Sequence, residues 1–208
     1  MSSLTAAKKH LISADPVLAA VITASGANPP FTPHTNYYQA LVGSIISQQL
    51  SVKAAFAIET RFKELFDGAF PSPEQLIKKN DEVLRSVGIS RPKIRYIKDL
   101  AHHILEGTVQ FETLDSLSNE AIIQELTQVK GIGEWTVHMF LMFCMGRLDV
   151  LPVGDLGIRN GIRRLYNLSE IPSPDDVTAI AIAHSWHPYE SVASWYVWHS
   201  LDNAPKLT

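Results

Sequence analysis

Residues 126–166 read LTQVKGIGEWTVHMFLMFCMGRLDVLPVGDLGIRNGIRRLY, and two glycine turns divide this stretch. The first turn, KGIG at 130–133, separates two segments whose apolar residues recur every three or four positions. The second turn, Gly154-Asp155, opens another segment of this kind. Such spacing is typical of amphipathic helices. The stretch therefore predicts helices joined by short turns.

Helix signals continue along the rest of the chain. Three prolines directly follow an Asp or Ser, the arrangement of an N-cap and a first helical position: Asp15-Pro16, Ser72-Pro73 and Ser173-Pro174. Sustained period-two alternation is scarce, and no Asn-Gly hairpin turn lies between alternating apolar runs. We predict an all-α fold of roughly ten helices.

The length and composition limit the class of protein. The 208 residues are 46% hydrophobic and 19% charged, which is enough apolar material for one compact unit or two small lobes. We expect a single functional unit over 1–208, with an N-terminal helical arm (1–33) and a helical core (34–208) that carries a hairpin near 126–137. The one cysteine, Cys144, excludes a disulfide framework or a four-thiolate cluster from this chain. No apolar run approaches a membrane span and no signal peptide is apparent, so we expect a soluble intracellular protein.

Charge is distributed unevenly, although the formal net charge is only -3. Five basic and no acidic residues lie from Arg85 to Lys98, and five acidic and no basic residues lie from Glu106 to Glu125. A second acid-free basic group ends the quoted stretch: Arg159, Arg163 and Arg164. These runs are either solvated helix faces or a phosphate-binding face.

Each glycine turn has a structural and a functional interpretation. The turn at 130–133 is either an ordinary interhelical connection or an anion site, where the first N–H groups of the next helix meet a DNA phosphate. Asp155 is either a helix N-cap or a carboxylate presented in a cleft, and the two roles are compatible.

Three separated motifs, taken in order, resemble one family. They are ISQQLSVKAA (46–55), VKGIGEWT (129–136) followed by PVGDLGIR (152–159), and WHPYESVASWYVW (186–198). Together they are similar to the helix-hairpin-helix DNA glycosylase superfamily, in its DNA-3-methyladenine glycosylase II branch and compact helix-only form. The resemblance covers about residues 35 to 200. It implies two helical lobes, with the helix-hairpin-helix motif beside an interlobe active-site cleft.

The resemblance also implies a reaction. Such an enzyme flips an alkylated purine, of the 3-methyladenine or 7-methylguanine type, out of duplex DNA and hydrolyses its N-glycosidic bond. Asp155 matches the catalytic aspartate, while Gly154 replaces a second Asp of the longer bacterial motif. Trp135 stands where bifunctional members have a nucleophilic lysine, so we expect a monofunctional enzyme that leaves an abasic site.

Further site residues follow from the same match. The base pocket is expected to include Trp135 and Trp198, whose alternative role is core packing, and also Tyr37, Tyr38 and Met139. Gln49 is expected to fill the gap that the flipped nucleotide leaves in the base stack, and is called the plug below; Leu50 and Ser51 lie beside it. Expected phosphate contacts are Lys130, Gly131 and Gly133, and a second basic turn is either a phosphate contact or a solvated face: Ser90, Arg91 and Lys93.

No cofactor is expected to be required. The family's hairpin often holds a monovalent cation, sodium or potassium, and the matching backbone carbonyls are those of Thr127, Val129 and Ile132. The expected partner is double-stranded DNA that contains alkylated bases, bound by a monomer without a membrane. The location would be cytoplasmic (nucleoid-associated) in a bacterium or archaeon and nuclear in a eukaryote.

Three alternatives remain open at this point. The first is a glycosylase for another damaged base, and the second is a non-catalytic helix-hairpin-helix DNA-binding module. The third is a metal hydrolase, because His184 and His187 are three residues apart and His102-His103 are adjacent. No His-Glu-x-x-His motif accompanies these histidines.

Overall fold

A computed structural model describes residues 3–202, and over this range the chain forms twelve α-helices and no strand. The prediction of an all-α fold is thereby confirmed. The helices are α1 (Ser3–Ala14), α2 (Pro16–Ser25), α3 (Tyr37–Ser47), α4 (Val52–Glu64), α5 (Pro73–Lys78), α6 (Asp81–Ser86), α7 (Arg91–Leu105), α8 (Asn119–Leu126), α9 (Glu134–Met139), α10 (Leu156–Leu165), α11 (Pro174–Ala183) and α12 (Glu190–Asp202). A 3-10 turn (Leu114–Ser116) precedes α8, and a π-helix (Phe140–Cys144) follows α9.

The three predicted N-caps begin helices as expected. The carboxylate of Asp15 accepts hydrogen bonds from the first backbone N–H groups of α2. Ser72 and Ser173 each form a capping box with the third residue of α5 and α11. These caps satisfy N–H groups that have no partner inside the helix, which fixes where each helix starts.

The described residues divide into two compact units, a central unit of residues 34–140 and a terminal unit of residues 3–33 and 141–202. In the terminal unit, α1 and α2 share one apolar core with α10, α11 and α12, and its fully buried side chains include Leu11, Leu18, Trp186 and Tyr196. The described part of the predicted arm over 1–33, residues 3–33, therefore belongs to the terminal unit. The predicted core over 34–208 is divided between the two units.

The central unit has a core of its own. Helix α3 packs against α4 and α7, and α7 packs against α5 and α6. The fully buried side chains come from several of these helices and include Leu41, Ile45, Phe62, Leu76 and Ile97. This packing fixes the turn between α3 and α4. Helices α8 and α9 pack against each other on either side of the glycine turn, and both turns carry residues considered below.

Two properties of residues 3–202 bear on the classes of partner. None of their helices is both long and apolar enough to cross a bilayer. They also contain no group of three or more His, Cys, Asp or Glu side chains that could hold a metal ion. The rings of His184 and His187 lie instead near two separate carboxylates, those of Asp15 (3.7 Å) and Glu190 (2.9 Å). This pairing does not favour the metal-hydrolase alternative.

Candidate functional site

Asp155 is held in a defined position at the start of α10. Its Oδ1 accepts a hydrogen bond of 2.7 Å from the backbone N–H of Ile158, so the side chain is the N-cap of this helix. The same oxygen accepts a hydrogen bond of 2.8 Å from the indole Nε1–H of Trp198. The amino-terminal end of a helix stabilises negative charge. Both hydrogen bonds therefore orient the carboxylate.

Trp198 was predicted for the base pocket, and the structure gives its indole N–H a partner that the sequence did not indicate. The ring lies nearly parallel to that of Phe143, with centroids 6.5 Å apart and an interplanar angle of 27°. Gly157 lies against the same pair: a Cβ there would come within 2.9 Å of Asp155 Oδ1 and 3.0 Å of Trp198 Nε1. Phe143 was missed by sequence reasoning, since no motif connects it with Asp155, and Gly157 was given no role although it belongs to the PVGDLGIR motif.

The glycine turn between α8 and α9 uses its two glycines differently. Gly131 has a φ of 83°, and a Cβ on it would lie 2.2 Å from Cδ2 of Tyr96. Gly133 has a φ of -95° and open space where a Cβ would be. The first glycine is therefore required by the fold. The second is the N-cap of α9 and has no side chain to cover the helix N–H groups.

Lys130, the expected phosphate contact, forms an ion pair in this structure. Its Nζ lies 2.8 Å from Asp99 Oδ1, and its backbone N–H donates to Oδ2 of the same carboxylate at 2.8 Å. The Lys130 side chain is nevertheless 74% exposed. Its ammonium thus reaches solvent from a turn that Asp99 fixes to α7.

The second basic turn is held by internal partners. Arg91 and Arg85 both lie within 3.4 Å of the carboxylate of Glu82. Lys93 points inward: its Nζ donates to the carbonyls of Ile46 (2.8 Å) and Gln48 (2.7 Å), and burial lowers the pKa of this amine. Ser90 is the exposed N-cap residue of α7. These contacts favour a structural role for the run over a continuous phosphate-binding face.

Tyr37 and Tyr38, both expected in the base pocket, are engaged within the central unit. The Tyr37 hydroxyl donates to Asp115 at 2.6 Å, and only 6% of the residue is exposed. The Tyr38 ring packs edge-on against Phe70, and burial raises the pKa of its phenol. Both rings therefore contact residues of the central unit, and their place in the base pocket stays a prediction.

The remaining predicted side chains lie on or near turns of the central unit. Trp135 is in the first turn of α9 and is 52% exposed, whereas Met139 ends that helix half-buried. Gln49 and Leu50 are exposed in the α3–α4 turn, where Gln49 has a φ of 59°. Ser51 follows as the N-cap of α4 and accepts a hydrogen bond from Ala54 N–H. Aromatic exposure at Trp135 and a strained Gln49 are compatible with the expected pocket and plug.

The carbonyls expected to hold a monovalent cation belong to one tight turn. The N–H of Ile132 donates to the carbonyl of Val129 at 3.1 Å, which brings these two residues together. A carbonyl oxygen has a second lone pair that can bind a cation. The turn is therefore compatible with a cation on Thr127, Val129 and Ile132, and that site stays a prediction.

Comparison with known proteins identifies the family. Residues 42–184 match the model of the HhH-GPD superfamily base excision DNA repair proteins. The chain belongs to this superfamily. A relative in Schizosaccharomyces pombe, DNA-3-methyladenine glycosylase 1, is 39% identical over 204 residues, which are 95% of this chain and 88% of that protein.

Solved structures of this superfamily agree with the fold. The S. pombe 3-methyladenine DNA glycosylase Mag1 in complex with abasic DNA superposes with a TM-score of 0.81 at 37% identity, covering 95% of this chain and 97% of that one. A DNA-3-methyladenine glycosidase from Bacillus halodurans gives the same TM-score at 40% identity, covering 94% and 88%. The HhH-GPD match begins within α3 and ends after α11, so it includes Asp155 and both glycine turns.

Proposed function

We propose that this HhH-GPD protein is a monofunctional DNA-3-methyladenine glycosylase of base excision repair. It flips an alkylated purine out of duplex DNA and hydrolyses the bond between base and sugar. The observation that carries this proposal is the Asp155 carboxylate, fixed by the α10 N-terminus and by Trp198. The family match and the names of the similar proteins support the substrate class.

Asp155 supplies the charge that the reaction needs. Bases such as 3-methyladenine carry a positive charge and leave readily, so the sugar becomes cationic at C1′ in the transition state. A carboxylate beside that carbon stabilises the cation and orients the attacking water. Water adds to C1′, the electron pair of the C1′–N bond leaves with the base, and one water proton goes to the carboxylate or to solvent. The base is released neutral and the strand stays intact.

Trp135 is the reason why we expect no strand cleavage by this enzyme. By the family resemblance it occupies the position where bifunctional members have a lysine that attacks the sugar. An indole forms no Schiff base, so no covalent sugar intermediate and no strand cleavage follow. Trp135 and Trp198 supply aromatic surface for an electron-poor ring, and Met139 lies on the same helix as Trp135. We expect no adduct to be trapped when borohydride is added to the reaction.

DNA is engaged by the turns of the central unit. Gln49, flanked by Leu50 and Ser51, fills the place of the flipped nucleotide, and the Gly131–Gly133 turn with Lys130 contacts a phosphate. A sodium or potassium ion on the carbonyls of Thr127, Val129 and Ile132 would add positive charge there. The enzyme acts as a monomer on one lesion. It acts on genomic DNA, in the cytoplasm of a prokaryote or in the nucleus of a eukaryote.

The deciding experiment measures release of 3-methyladenine from methylated duplex DNA by wild type and Asp155→Asn. Asparagine has similar volume and caps helices as well as aspartate, so the α10 N-terminus is retained while the charge is removed. We expect release to fall by about a hundredfold or more. Affinity for abasic-site DNA should be retained.

A matched control is Asp175→Asn, which removes an exposed carboxylate from the same unit, in the first turn of α11. It should release base at the wild-type rate. Release by Asp155→Asn at that rate would move catalysis away from Asp155. If wild type binds DNA tightly and releases no methylated base, another lesion or a non-catalytic binding module becomes the better interpretation.

A further inference from the structure

Lys93 ties helix α7 to the turn that follows α3. Its ammonium donates hydrogen bonds to the carbonyls of Ile46 and Gln48, at 2.8 and 2.7 Å. These carbonyls lie at the carboxyl end of α3, where they lack partners inside the helix and attract cations. The backbone of Gln48 is therefore fixed from α7.

The side chain of Gln48 reaches the second functional turn. Its Nε2 donates a hydrogen bond of 2.9 Å to the carbonyl of Gly131, 83 residues later in the sequence. Gly131 itself lies directly against the ring of Tyr96 on α7, with no room for a Cβ. Gln48 thus connects the α3–α4 turn with the glycine turn between α8 and α9.

Gln49 comes immediately after this anchor and has an unusual backbone. Its φ of 59° is in the left-handed region, which residues other than glycine rarely adopt. The N–H of Leu50 donates to the carbonyl of Ser47, which closes the turn around Gln49. Such a conformation persists where neighbouring contacts enforce it. The anchor at Gln48 is one of those contacts, and it leaves the Gln49 side chain exposed.

We propose that Gln48, held by Lys93, is a positioning residue that locks the Gln49 turn to the glycine turn between α8 and α9. The position of Gln49 in the DNA is thereby fixed relative to the phosphate that the glycine turn contacts. This inference rests on the proposed function and on Gln49 as the plug. It adds a residue that touches neither base nor sugar. Loss of the Gln48 side chain should weaken the insertion of Gln49 into the base stack and leave the affinity for intact duplex DNA unchanged.

The test compares affinity for a duplex containing a tetrahydrofuran abasic-site analogue with affinity for the intact duplex of the same sequence. Wild type should prefer the analogue, since the plug fills a place that is empty only there. Gln48→Met keeps the length of the side chain and removes the donor. It should reduce this preference roughly five- to tenfold, the effect of one neutral hydrogen bond. Gln48→Asn, too short to reach Gly131, should do the same and provides a second variant if the first folds poorly.

Gln110→Met is the matched control. Gln110 also donates its amide N–H to a glycine carbonyl, that of Gly107, at 2.9 Å in the same unit, and it is exposed. Its replacement should leave the preference at the wild-type value. The free energy of unfolding of each variant, measured in urea, shows whether the fold is retained.

A double-mutant cycle separates positioning from general destabilisation. If Gln48 acts through Gln49, then Gln48→Met should reduce the preference no further in a Gln49→Ala background. Equal reductions in both backgrounds, an unchanged preference in Gln48→Met, or a wild type with no preference would each overturn the inference. Failure of the proposed function looks different, because wild type would then keep its preference for the abasic analogue and release no methylated base.

Discussion

The indole N–H of Trp198 and the backbone N–H of Ile158 share one oxygen of Asp155, at 2.8 and 2.7 Å. The tryptophan lies on α12, 43 residues after the aspartate, and the two helices pack directly against each other. An oxygen that accepts two hydrogen bonds has a fixed direction. The orientation of the proposed catalytic carboxylate is therefore set by tertiary packing as well as by its own helix.

Trp198→Phe should lower the rate of base release about tenfold. Phenylalanine keeps an aromatic ring beside Phe143 but cannot donate a hydrogen bond to Asp155. A hydrogen bond to a charged group contributes about 1.5–3 kcal/mol. Losing part of this free energy in the transition state lowers the rate of base release about tenfold. The measurement is single-turnover release of 3-methyladenine at saturating enzyme.

Trp195→Phe is the control for this change. Trp195 lies on the same helix, and its ring is stacked on His199 with an interplanar angle of 12°. It should react at close to the wild-type rate. If Trp198→Phe also reacts at that rate, the hydrogen bond does not orient Asp155 for catalysis.

Gly157→Ala should impair catalysis and leave the protein folded. The added methyl would come within 2.9 Å of Asp155 Oδ1 and 3.0 Å of Trp198 Nε1, closer than such atoms normally approach. The carboxylate and the indole must then separate, and a displaced catalytic group costs about tenfold to a hundredfold in rate. Gly154→Ala is the control, since a Cβ there meets open space. Equal rates for the two variants would contradict the argument.

Gly131→Ala should destabilise the central unit by about 3 kcal/mol. The left-handed backbone costs about 1–2 kcal/mol with any side chain that has a Cβ, and overpacking against the Tyr96 ring adds about as much again. Gly133→Ala should change the free energy of unfolding by less than about 0.5 kcal/mol, because its backbone is ordinary and its surroundings are open. Urea unfolding of both variants measures the difference. Similar values would mean that the turn relaxes around Tyr96.

The fold could be predicted because its signals are local. An N-cap such as Asp15 or Ser72 acts on N–H groups two or three residues later, so a short piece of sequence contains the whole interaction. The division into two units could not be predicted in this way. It depends on whether α1 and α2 bury their apolar residues against neighbours in sequence or against α12.

The site was predicted less completely, for the same physical reason. Asp155 and the glycine turns belong to motifs, whereas Trp198 and Asp99, which hold Asp155 and Lys130 in place, come from distant positions in the chain. The basic run from Arg85 to Lys98 contains no acidic residue, but it pairs with Asp81 and Glu82, which lie just outside it, so the charges within the run did not show these ion pairs. Lys93 points inward because its ammonium donates to backbone carbonyls. Since every residue has a carbonyl, the sequence does not show which one the lysine will reach.

Asp99→Asn tests the ion pair between Asp99 on α7 and Lys130 in the glycine turn between α8 and α9. Burial by itself raises the pKa of Asp99, but hydrogen bonds from the side chain and backbone of Lys130, with attraction to Lys130 and His103, outweigh it and lower the pKa. A carboxyl whose pKa is lower in the folded than in the unfolded state stabilises the fold above its unfolded pKa of about 3.9. That stabilisation is lost as the pH falls through the folded pKa.

We therefore expect Asp99→Asn to reduce the free energy of unfolding by about 1 kcal/mol at pH 7, a moderate value because Lys130 is largely exposed. The difference from wild type should stay constant down to about pH 4 and shrink below it. Urea unfolding over a pH series measures this difference. Glu112→Gln, an exposed site in the same unit, should show no such trend. A difference that persists at the lowest pH would mean that Asp99 acts through packing, and that its charge does not hold the glycine turn.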